Sequence, residues 1–134
     1  VGFPTETEED FEATRRRMEE IQFDNAFIFK YSPRPGTPAA EWTDDVSAEE
    51  KARRNQVLLV DQDRLAMVNN NRLVGRDVEV RAEGVSLRNR ERWAGRTRTN
   101  VTVVFAPTAG LVPGAVVRVR VTRVMPQTLY GDIL

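Results

Sequence analysis

Val117-Arg118-Val119-Arg120-Val121-Thr122 decides the fold of this chain, because apolar and polar residues alternate along it. Asp77-Val78-Glu79-Val80-Arg81-Ala82 repeats the same alternation. A period of two places alternate side chains on opposite faces of a strand, so that one face covers a core and the other meets water. Both stretches therefore predict strands, with the valines facing inward and the charged side chains facing outward.

The residues around these two strands predict a small β-barrel. Residues 96–105 read as one or two further strands and residues 129–134 as another, which gives four or five in all. Turn positions separate them at Gly75, Gly84, Gly95, Gly110, Pro113-Gly114 and Gly131. A closed or nearly closed antiparallel barrel of about 65 residues, similar to an OB barrel, fits this pattern.

A basic stretch precedes the second half of this region: Arg88-Asn89-Arg90-Glu91-Arg92-Trp93-Ala94-Gly95-Arg96-Thr97-Arg98-Thr99-Asn100 holds five arginines and one acid. Arginine donors suit phosphate, and a tryptophan or tyrosine ring can stack on a base. The pattern predicts an RNA surface, provided that the arginine faces adjoin, with Trp93 or Tyr130 for stacking. The candidate residues are Arg88, Arg90, Trp93, Arg96, Arg98, Asn100, Arg118 and Arg120.

A structural role explains the same residues without RNA. Charged side chains on a hairpin keep a sheet edge from pairing with other chains. Instead of stacking on a base, Trp93 would then pack in the core or cover the hairpin. The pattern alone leaves both interpretations open.

Two helices are predicted in the first half of the chain. Thr7-Glu8-Glu9-Asp10 is close to a capping box and opens a helix whose buried stripe is Phe11, Met18 and Ile21. Ser47-Ala48-Glu49-Glu50 opens a second helix, which runs to about Val68 and ends at three asparagines. Its apolar face comprises Val57, Leu58, Leu65 and Val68, with Ala48 and Ala52 extending it, and its polar face includes Arg53, Arg54, Asp61, Asp63 and Arg64.

One strand is predicted before the first helix, and a strand and a loop are predicted between the two helices. Residues 1–4 resemble the end of a strand, and Ala26-Phe27-Ile28-Phe29 is a short apolar run with the length and aromatic content of a strand. Ser32-Pro33-Arg34-Pro35-Gly36-Thr37-Pro38 is a loop, since its prolines remove backbone donors. The order strand, helix, strand, loop indicates a β/α unit, so domains are expected at residues 1–68 and 69–134.

Charge and composition restrict the function. The chain of 134 residues has 20 cations and 20 acids, but residues 1–46 carry a net charge of −6 and residues 70–134 carry +6. A polyanionic partner would therefore bind the second half. There is no cysteine and no histidine, so we expect no catalytic residue and no metal ligand. No apolar run has the length of a membrane helix and no signal peptide is visible, which predicts a cytoplasmic protein without membrane contact.

Three motifs occur in a specific order: Val-Gly-Phe-Pro-Thr-Glu-Thr-Glu-Glu-Asp-Phe at 1–11, Ala-Phe-Ile-Phe-Lys-Tyr-Ser-Pro-Arg-Pro-Gly-Thr-Pro-Ala at 26–39, and Gly-Arg-Thr-Arg-Thr-Asn at 95–100. Together they resemble the radical-SAM methylthiotransferases, and within them the tRNA-modifying 2-methylthio-isopentenyladenosine synthases. The resemblance extends over essentially the whole chain. It departs from the family at Thr5, where a glycine is usual.

The resemblance implies an α+β protein. Residues 1–68 would be a truncated C-terminal β/α segment of a radical-SAM barrel with a long connector helix, and residues 69–134 a TRAM domain, a small OB-like antiparallel RNA-binding barrel. The family uses two [4Fe–4S] clusters and S-adenosylmethionine to add a methylthio group to isopentenyladenosine next to the anticodon. Its cluster cysteines lie upstream, so this fragment alone would be inactive.

The resemblance also implies partners and sites. The partners would be the tRNA anticodon arm and the missing N-terminal part of the same protein. Gly2 and Phe3 would lie near the adenosylmethionine side of the barrel, and Tyr31, Ser32 and Arg34 at its mouth. A simple turn explains Gly2 equally well, and a salt bridge that anchors the loop explains Arg34.

Other functions are compatible with the motifs. The TRAM domain of the ribosomal-protein methylthiotransferase branch binds a protein instead of RNA. The threonylcarbamoyladenosine branch shares the Tyr-Ser-Pro-Arg-Pro-Gly-Thr loop, and only the Gly-Arg-Thr-Arg-Thr-Asn motif argues against it. A plain dimerisation module is a third alternative.

Overall fold

The computed structural model describes residues 1–134, which divide into two compact units, Val1–Leu65 and Ala66–Leu134. The first unit contains α1 (Glu8–Ile21), a short 3₁₀ helix (Pro38–Glu41) and most of α2 (Ala48–Asn71). The second contains the end of α2 and five strands. Neither α-helix combines the length and the apolar character that crossing a bilayer requires.

Helix α1 begins at the predicted capping box. The Thr7 hydroxyl accepts a hydrogen bond from the Asp10 N–H at 3.2 Å, and the Asp10 carboxylate accepts one from the Thr7 N–H at 2.9 Å. Phe11 and Met18 are buried against Leu58 and Leu65 of α2. The prediction that Ile21 joins this stripe is wrong: the helix ends there, and Ile21 is 58% exposed.

Helix α2 also begins as predicted, with the Ser47 hydroxyl accepting from the Glu50 N–H at 3.1 Å. It runs three residues further than expected, to Asn71. Leu58 and Leu65 are buried, but Val68 is 44% exposed and Arg54 only 5% exposed, so both were placed on the wrong face. The reason for Arg54 is electrostatic, since it is held by three carboxylates.

That ionic cluster lies inside the first unit. The Arg54 guanidinium donates to Glu50 at 2.7 Å, to Glu6 at 3.0 Å and to Glu8 at 3.4 Å. It also donates to the Glu6 carbonyl at 2.9 Å. A buried cation is tolerated only when its donors are satisfied in this way, and removing one partner leaves a charge without compensation. The cluster thus holds the start of α1 against α2.

The strands predicted at residues 1–4 and 26–29 are not present. The extended segment near residue 29 makes only two main-chain bonds, from the Tyr31 N–H to the Val1 carbonyl at 2.8 Å and from the Val1 ammonium to the Phe29 carbonyl at 3.0 Å. An apolar run becomes a strand only where a neighbouring strand continues the ladder. Phe27 and Phe29 are instead 86% and 74% exposed.

The second unit is a closed five-stranded barrel, as the alternating pattern predicts. Its strands are β1 (Asp77–Val85), β2 (Trp93–Arg96), β3 (Thr102–Phe105), β4 (Val116–Met125) and β5 (Thr128–Ile133), in the order β1-β2-β3-β5-β4. Four of the five pairings are antiparallel, whereas β3 and β5 pair in parallel. The expectation of a wholly antiparallel barrel is corrected here, because closing the barrel brings together two strands that run in the same direction.

The barrel core confirms the predicted inward faces. Its buried residues are Val80, Ala82, Val103, Phe105, Val119, Val121, Val124 and Leu129. Each fully buried valine, leucine or phenylalanine contributes about 1.5–3 kcal/mol to the free energy of unfolding. The core therefore accounts for the stability of a domain that has no disulfide.

Three glycines predicted to lie in turns are inside strands instead: Gly84 at the bulge of β1, Gly95 in β2 and Gly131 in β5. Gly95 and Gly131 are both buried. A Cβ on Gly95 would lie 2.6 Å from the Val80 Cγ1 and collide with the Arg81 carbonyl; on Gly131 it would lie 2.6 Å from the Val119 Cγ1 and collide with the Arg120 carbonyl. The missing side chains let neighbouring strands approach closely where the barrel curves.

Candidate nucleic-acid interface

The outward face of strands β4, β1 and β2 carries three of the six predicted arginines, Arg96, Arg118 and Arg120. The register aligns Arg96 with Arg81, Arg118 with Glu79 and Arg120 with Asp77. Strand β1 lies between β2 and β4, so Arg96 is separated from the arginines of β4 by a strand that bears acids. The condition that the arginine faces adjoin is not met.

Each of these arginines forms an ion pair with an acid of β1. Arg96 lies 3.7 Å from Glu83, Arg98 3.6 Å from Glu79, and Arg118 3.1 Å from Asp77, which also pairs with Arg120. Such exposed pairs contribute little to stability and exchange readily with solvent or another anion. Five arginines, counting Arg81, share three acids on this face.

Asp77 stays charged within this group. The hydrogen bond from Arg120 lowers the pKa of the Asp77 carboxyl below its ordinary value, and the charges of Arg120 and Arg118 act in the same direction. The same hydrogen bond raises the pKa of the Arg120 guanidinium. Arg118 and Arg120 therefore share the single negative charge of Asp77 at neutral pH.

The turn between β2 and β3 brings Arg96, Arg98 and Asn100 together. The Arg96 guanidinium donates to the carbonyl and to the side-chain oxygen of Asn100, both at 3.3 Å. Asn100 has a φ of 65°, which asparagine tolerates better than most residues. These three residues line a shallow cleft of about 390 Å³ with Arg81 and Glu79.

A larger cleft of about 510 Å³ lies on the outward face of β2, β3 and β5. Its floor consists of small side chains, Ala94, Thr102, Val104 and Thr128, and Tyr130 also lines it. Arg88, Arg92 and Arg96 contribute positive charge, and Glu83 is the only acid. Because Arg96 lines both clefts, the two are neighbours on the barrel surface.

Tyr130 carries a stacked cation. The Arg123 guanidinium carbon lies 3.9 Å from the centre of the Tyr130 ring, within the range of a cation–π contact. A β-bulge between Val121 and Arg123 turns this arginine outward and Val124 inward. Strict alternation predicts that Arg123 faces inward, so it was not among the candidate residues. The apolar Val124, which breaks the alternation, was the sequence signal for the bulge.

The remaining barrel candidates differ in exposure. Arg88 and Arg90 are exposed on the loop between β1 and β2 and form no ion pair. Trp93 is half-buried against the barrel core, aligned with Val85 and Phe105 on the flanking strands. This position favours a packing role for Trp93. Arg92, which sequence analysis did not single out, lines the larger cleft.

In the first unit, Gly2, Phe3 and Tyr31 come together. Gly2 has a φ of 75°, and its N–H donates to the Glu6 carboxylate at 2.7 Å. The Phe3 ring packs edge-on against the rings of Tyr31 at 5.0 Å and Trp42 at 5.6 Å. These contacts describe a tight turn capped by an aromatic cluster.

Ser32 and Arg34 do not join this cluster, and both are exposed. The Arg34 carbonyl accepts bonds from the Thr37 N–H at 3.2 Å and the Thr37 hydroxyl at 2.8 Å. The Arg34 guanidinium forms no ion pair, so main-chain bonds and not a salt bridge anchor the loop.

The residues present do not fit an iron–sulfur cluster. Such clusters are held by cysteine thiolates, and the chain contains no cysteine. No group of histidine, cysteine, aspartate or glutamate side chains is arranged to hold a metal ion. An iron–sulfur cluster would need thiolate ligands from outside these 134 residues.

Comparison with known proteins first gives the class of the barrel: residues 71–134 match the TRAM domain family, so the second unit is a TRAM domain. Over its whole length the chain is 44% identical to a tRNA-2-methylthio-N(6)-dimethylallyladenosine synthase of Desulforamulus reducens and covers 29% of it. A synthase of the same name from Acetivibrio thermocellus is 46% identical over the whole chain, which covers 28% of that relative.

A third relative of that name, from Porphyromonas gingivalis, is 45% identical over 99% of this chain. The chain thus carries a TRAM region of the type found in these synthases, which confirms the resemblance predicted from the three motifs. It spans less than a third of the length of the curated relatives it matches.

Proposed function

We propose that this chain is part of a tRNA methylthiotransferase and that its TRAM domain holds the tRNA while other parts of the protein carry the reaction. One observation carries the proposal: the unit Ala66–Leu134 has eleven arginines and five acids, and several of the arginines surround two neighbouring clefts. Such a charge excess attracts a phosphate backbone.

The proposal also covers the substrate, the RNA partner, the cofactors and the location of the reaction. The substrate would be an isopentenylated adenosine beside the anticodon, and the anticodon arm would bind the TRAM domain. The two [4Fe–4S] clusters and S-adenosylmethionine would be held by other parts of the protein, with Gly2 and Phe3 near the latter and Tyr31, Ser32 and Arg34 near the substrate. A tRNA-modifying enzyme of this kind would work in the cytoplasm.

The alternative branches lack support of this kind. The three relatives described above share a name that specifies tRNA, and none is named for a ribosomal protein or for threonylcarbamoyladenosine. The arginines of residues 70–134 exceed the acids by six, a charge that suits the phosphates of RNA.

Binding of tRNA by the 134-residue chain, measured by fluorescence anisotropy at several salt concentrations, tests the proposal. We expect Arg96→Ala with Arg98→Ala to weaken binding and to reduce the slope of log K against log salt by about 0.7–0.9 for each lost phosphate contact. The matched control is Arg118→Ala with Arg120→Ala, because those arginines pair with Asp77 and line neither cleft. Absence of tRNA binding, or an unchanged slope in the first double variant, would overturn the proposal.

A further inference from the structure

We propose that the larger cleft on β2, β3 and β5 receives one unpaired RNA nucleotide, with its base against Tyr130 and the small side chains of the floor and its phosphates on the arginines of the rim. This inference rests on the proposed RNA-binding function and names the part of the RNA that the domain recognises.

The floor of the cleft suits a flat, uncharged ring. Ala94 of β2 is aligned with Val104 of β3. Thr102 and Val104 of β3 are in turn aligned with Thr128 and Tyr130 of β5. Their small side chains leave a concavity of about 510 Å³, within the range of about 300–1,000 Å³ typical of sites for small ligands. A floor of methyl and hydroxyl groups packs against a base but offers no charge to a phosphate.

Tyr130 is held ready for stacking. It lines the cleft, and Arg123 lies over its ring at 3.9 Å from the centre. The phenol hydroxyl makes no hydrogen bond, so the ring is positioned by packing and by the cation alone. A ring fixed before binding loses little entropy when a base stacks on it, and such stacking is tolerant of sequence.

The rim supplies two arginines without an acidic partner and a third that is loosely paired. Arg88 is exposed and Arg92 half-buried, and neither forms an ion pair. Arg96 donates to Asn100 at 3.3 Å and lies 3.7 Å from Glu83, long contacts that an incoming phosphate can replace. Cations at the edge and an uncharged floor match the distribution of charge in a nucleotide.

An unpaired nucleotide fits this cleft and a duplex does not. Bases in a helix are stacked and cannot reach a floor that lies below a rim of side chains. A nucleotide in a hairpin loop can be turned out of its stack and inserted. We therefore expect the cleft to distinguish loop RNA from a duplex, whereas the surrounding arginines do not.

The test measures the affinity of the 134-residue chain for two RNAs. One is a hairpin with a seven-nucleotide loop, about the size of an anticodon loop. The other is a blunt duplex with the same number of phosphates. We expect Tyr130→Ala to weaken hairpin binding by about 5- to 150-fold and duplex binding by less than about 2-fold. Tyr130→Phe keeps the ring and should bind as the wild type does.

A second measurement needs no variant. With 2-aminopurine in the loop, binding of the wild-type protein should change its emission, because the base leaves one stack for another; the same probe inside the duplex should not respond. Equal losses for hairpin and duplex in Tyr130→Ala, or no loss in either, overturn the inference while RNA binding stands. No binding of either RNA by the wild type means that the proposed function itself fails.

Discussion

Thr5 places a β-branched side chain in a backbone conformation that such residues rarely adopt, with a φ of 72°. Its N–H donates to the Asp45 carboxylate at 2.7 Å, which helps to fix the turn before α1. A glycine would adopt this left-handed conformation without a steric penalty. The turn is thus retained here at a cost in backbone strain of about 1–2 kcal/mol.

Replacing Thr5 by glycine should relieve that strain. We expect Thr5→Gly to raise the free energy of unfolding by about 1 kcal/mol, because the gain exceeds the extra entropy of a glycine in the unfolded chain. Urea denaturation measures the change. The control is Thr14→Gly in the interior of α1, which should lower stability by a few tenths to about 1 kcal/mol; destabilisation by both variants would contradict the strain at Thr5.

Glu50 gives the first unit a dependence on acid. Hydrogen bonds from Arg53 and Arg54 lower the pKa of the Glu50 carboxyl from 4.5 to about 2. A lowered folded-state pKa stabilises the protein above the unfolded value, and this contribution is lost as the pH falls from about 4.5 towards about 2.

A comparison of wild type with Glu50→Gln isolates this contribution. The wild type should lose more stability than the variant between pH 5 and pH 2, which chemical denaturation at each pH would measure. Above pH 6 the difference between the two proteins should be constant. Parallel curves across the acid range would show that Glu50 does not titrate as described.

At the scale of the element, the strands of the barrel depend on two positions without side chains. Gly95 of β2 and Gly131 of β5 lie directly against the main chain of the adjacent strand, and each aligns with an inward-facing residue, Ala82 or Val121. Because the neighbour at each site is backbone, it cannot move aside as a flexible side chain would.

Alanine at either glycine should therefore destabilise the barrel. We expect Gly95→Ala and Gly131→Ala to cost about 1–3 kcal/mol each, seen as a lower melting temperature by circular dichroism. Ala94→Val, an outward-facing change one residue away, should alter stability by less than about 0.5 kcal/mol. A Gly95→Ala protein with an unchanged melting temperature would show that the strands can separate there.

The sequence predicts an element when the signal for it is local. The Thr7 and Ser47 caps, and the alternation through Val80 and Val119, act within a few residues and gave the helix starts and the inward faces of β1 and β4. Residues 26–29 have the composition of a strand, but strand formation needs a partner that local sequence does not reveal. The larger cleft could not be predicted for the same reason: its floor is assembled from three strands, and local sequence does not show which strands are neighbours.

The arginines illustrate a further difference. Sequence analysis found the positive charge of the second half, but charge counts do not show which cations are matched by acids. Arg118 and Arg120 of β4 both form an ion pair with Asp77 of the neighbouring strand β1. Arg88 forms no ion pair. Arg123 faces outward because of the bulge in β4, which the alternating pattern does not predict.

At the scale of the whole molecule, the barrel is closed by its last strand. Strand β5 pairs with β3 on one side and with β4 on the other, so it joins the two edges of the sheet formed by β4, β1, β2 and β3. It also supplies the fully buried Leu129. The TRAM domain therefore has no complete core without residues 128–133.

Truncation tests this dependence. A chain ending at Gln127 should lose cooperative thermal unfolding of the barrel and the dispersed amide signals of its strands in an NMR spectrum. A chain lacking only the exposed Leu134 should retain both. A dispersed spectrum for the shorter protein would mean that four strands suffice.

The position of β5 has a consequence for synthesis of the protein. A ribosome makes about 5–20 residues per second from the N-terminus, so the other four strands leave the exit tunnel before the one that seals them. During that interval the emerging polypeptide presents two open sheet edges to its surroundings, which are sites where another chain can pair. We expect chaperones to bind the polypeptide most during this interval and to dissociate once β5 has paired with β3 and β4.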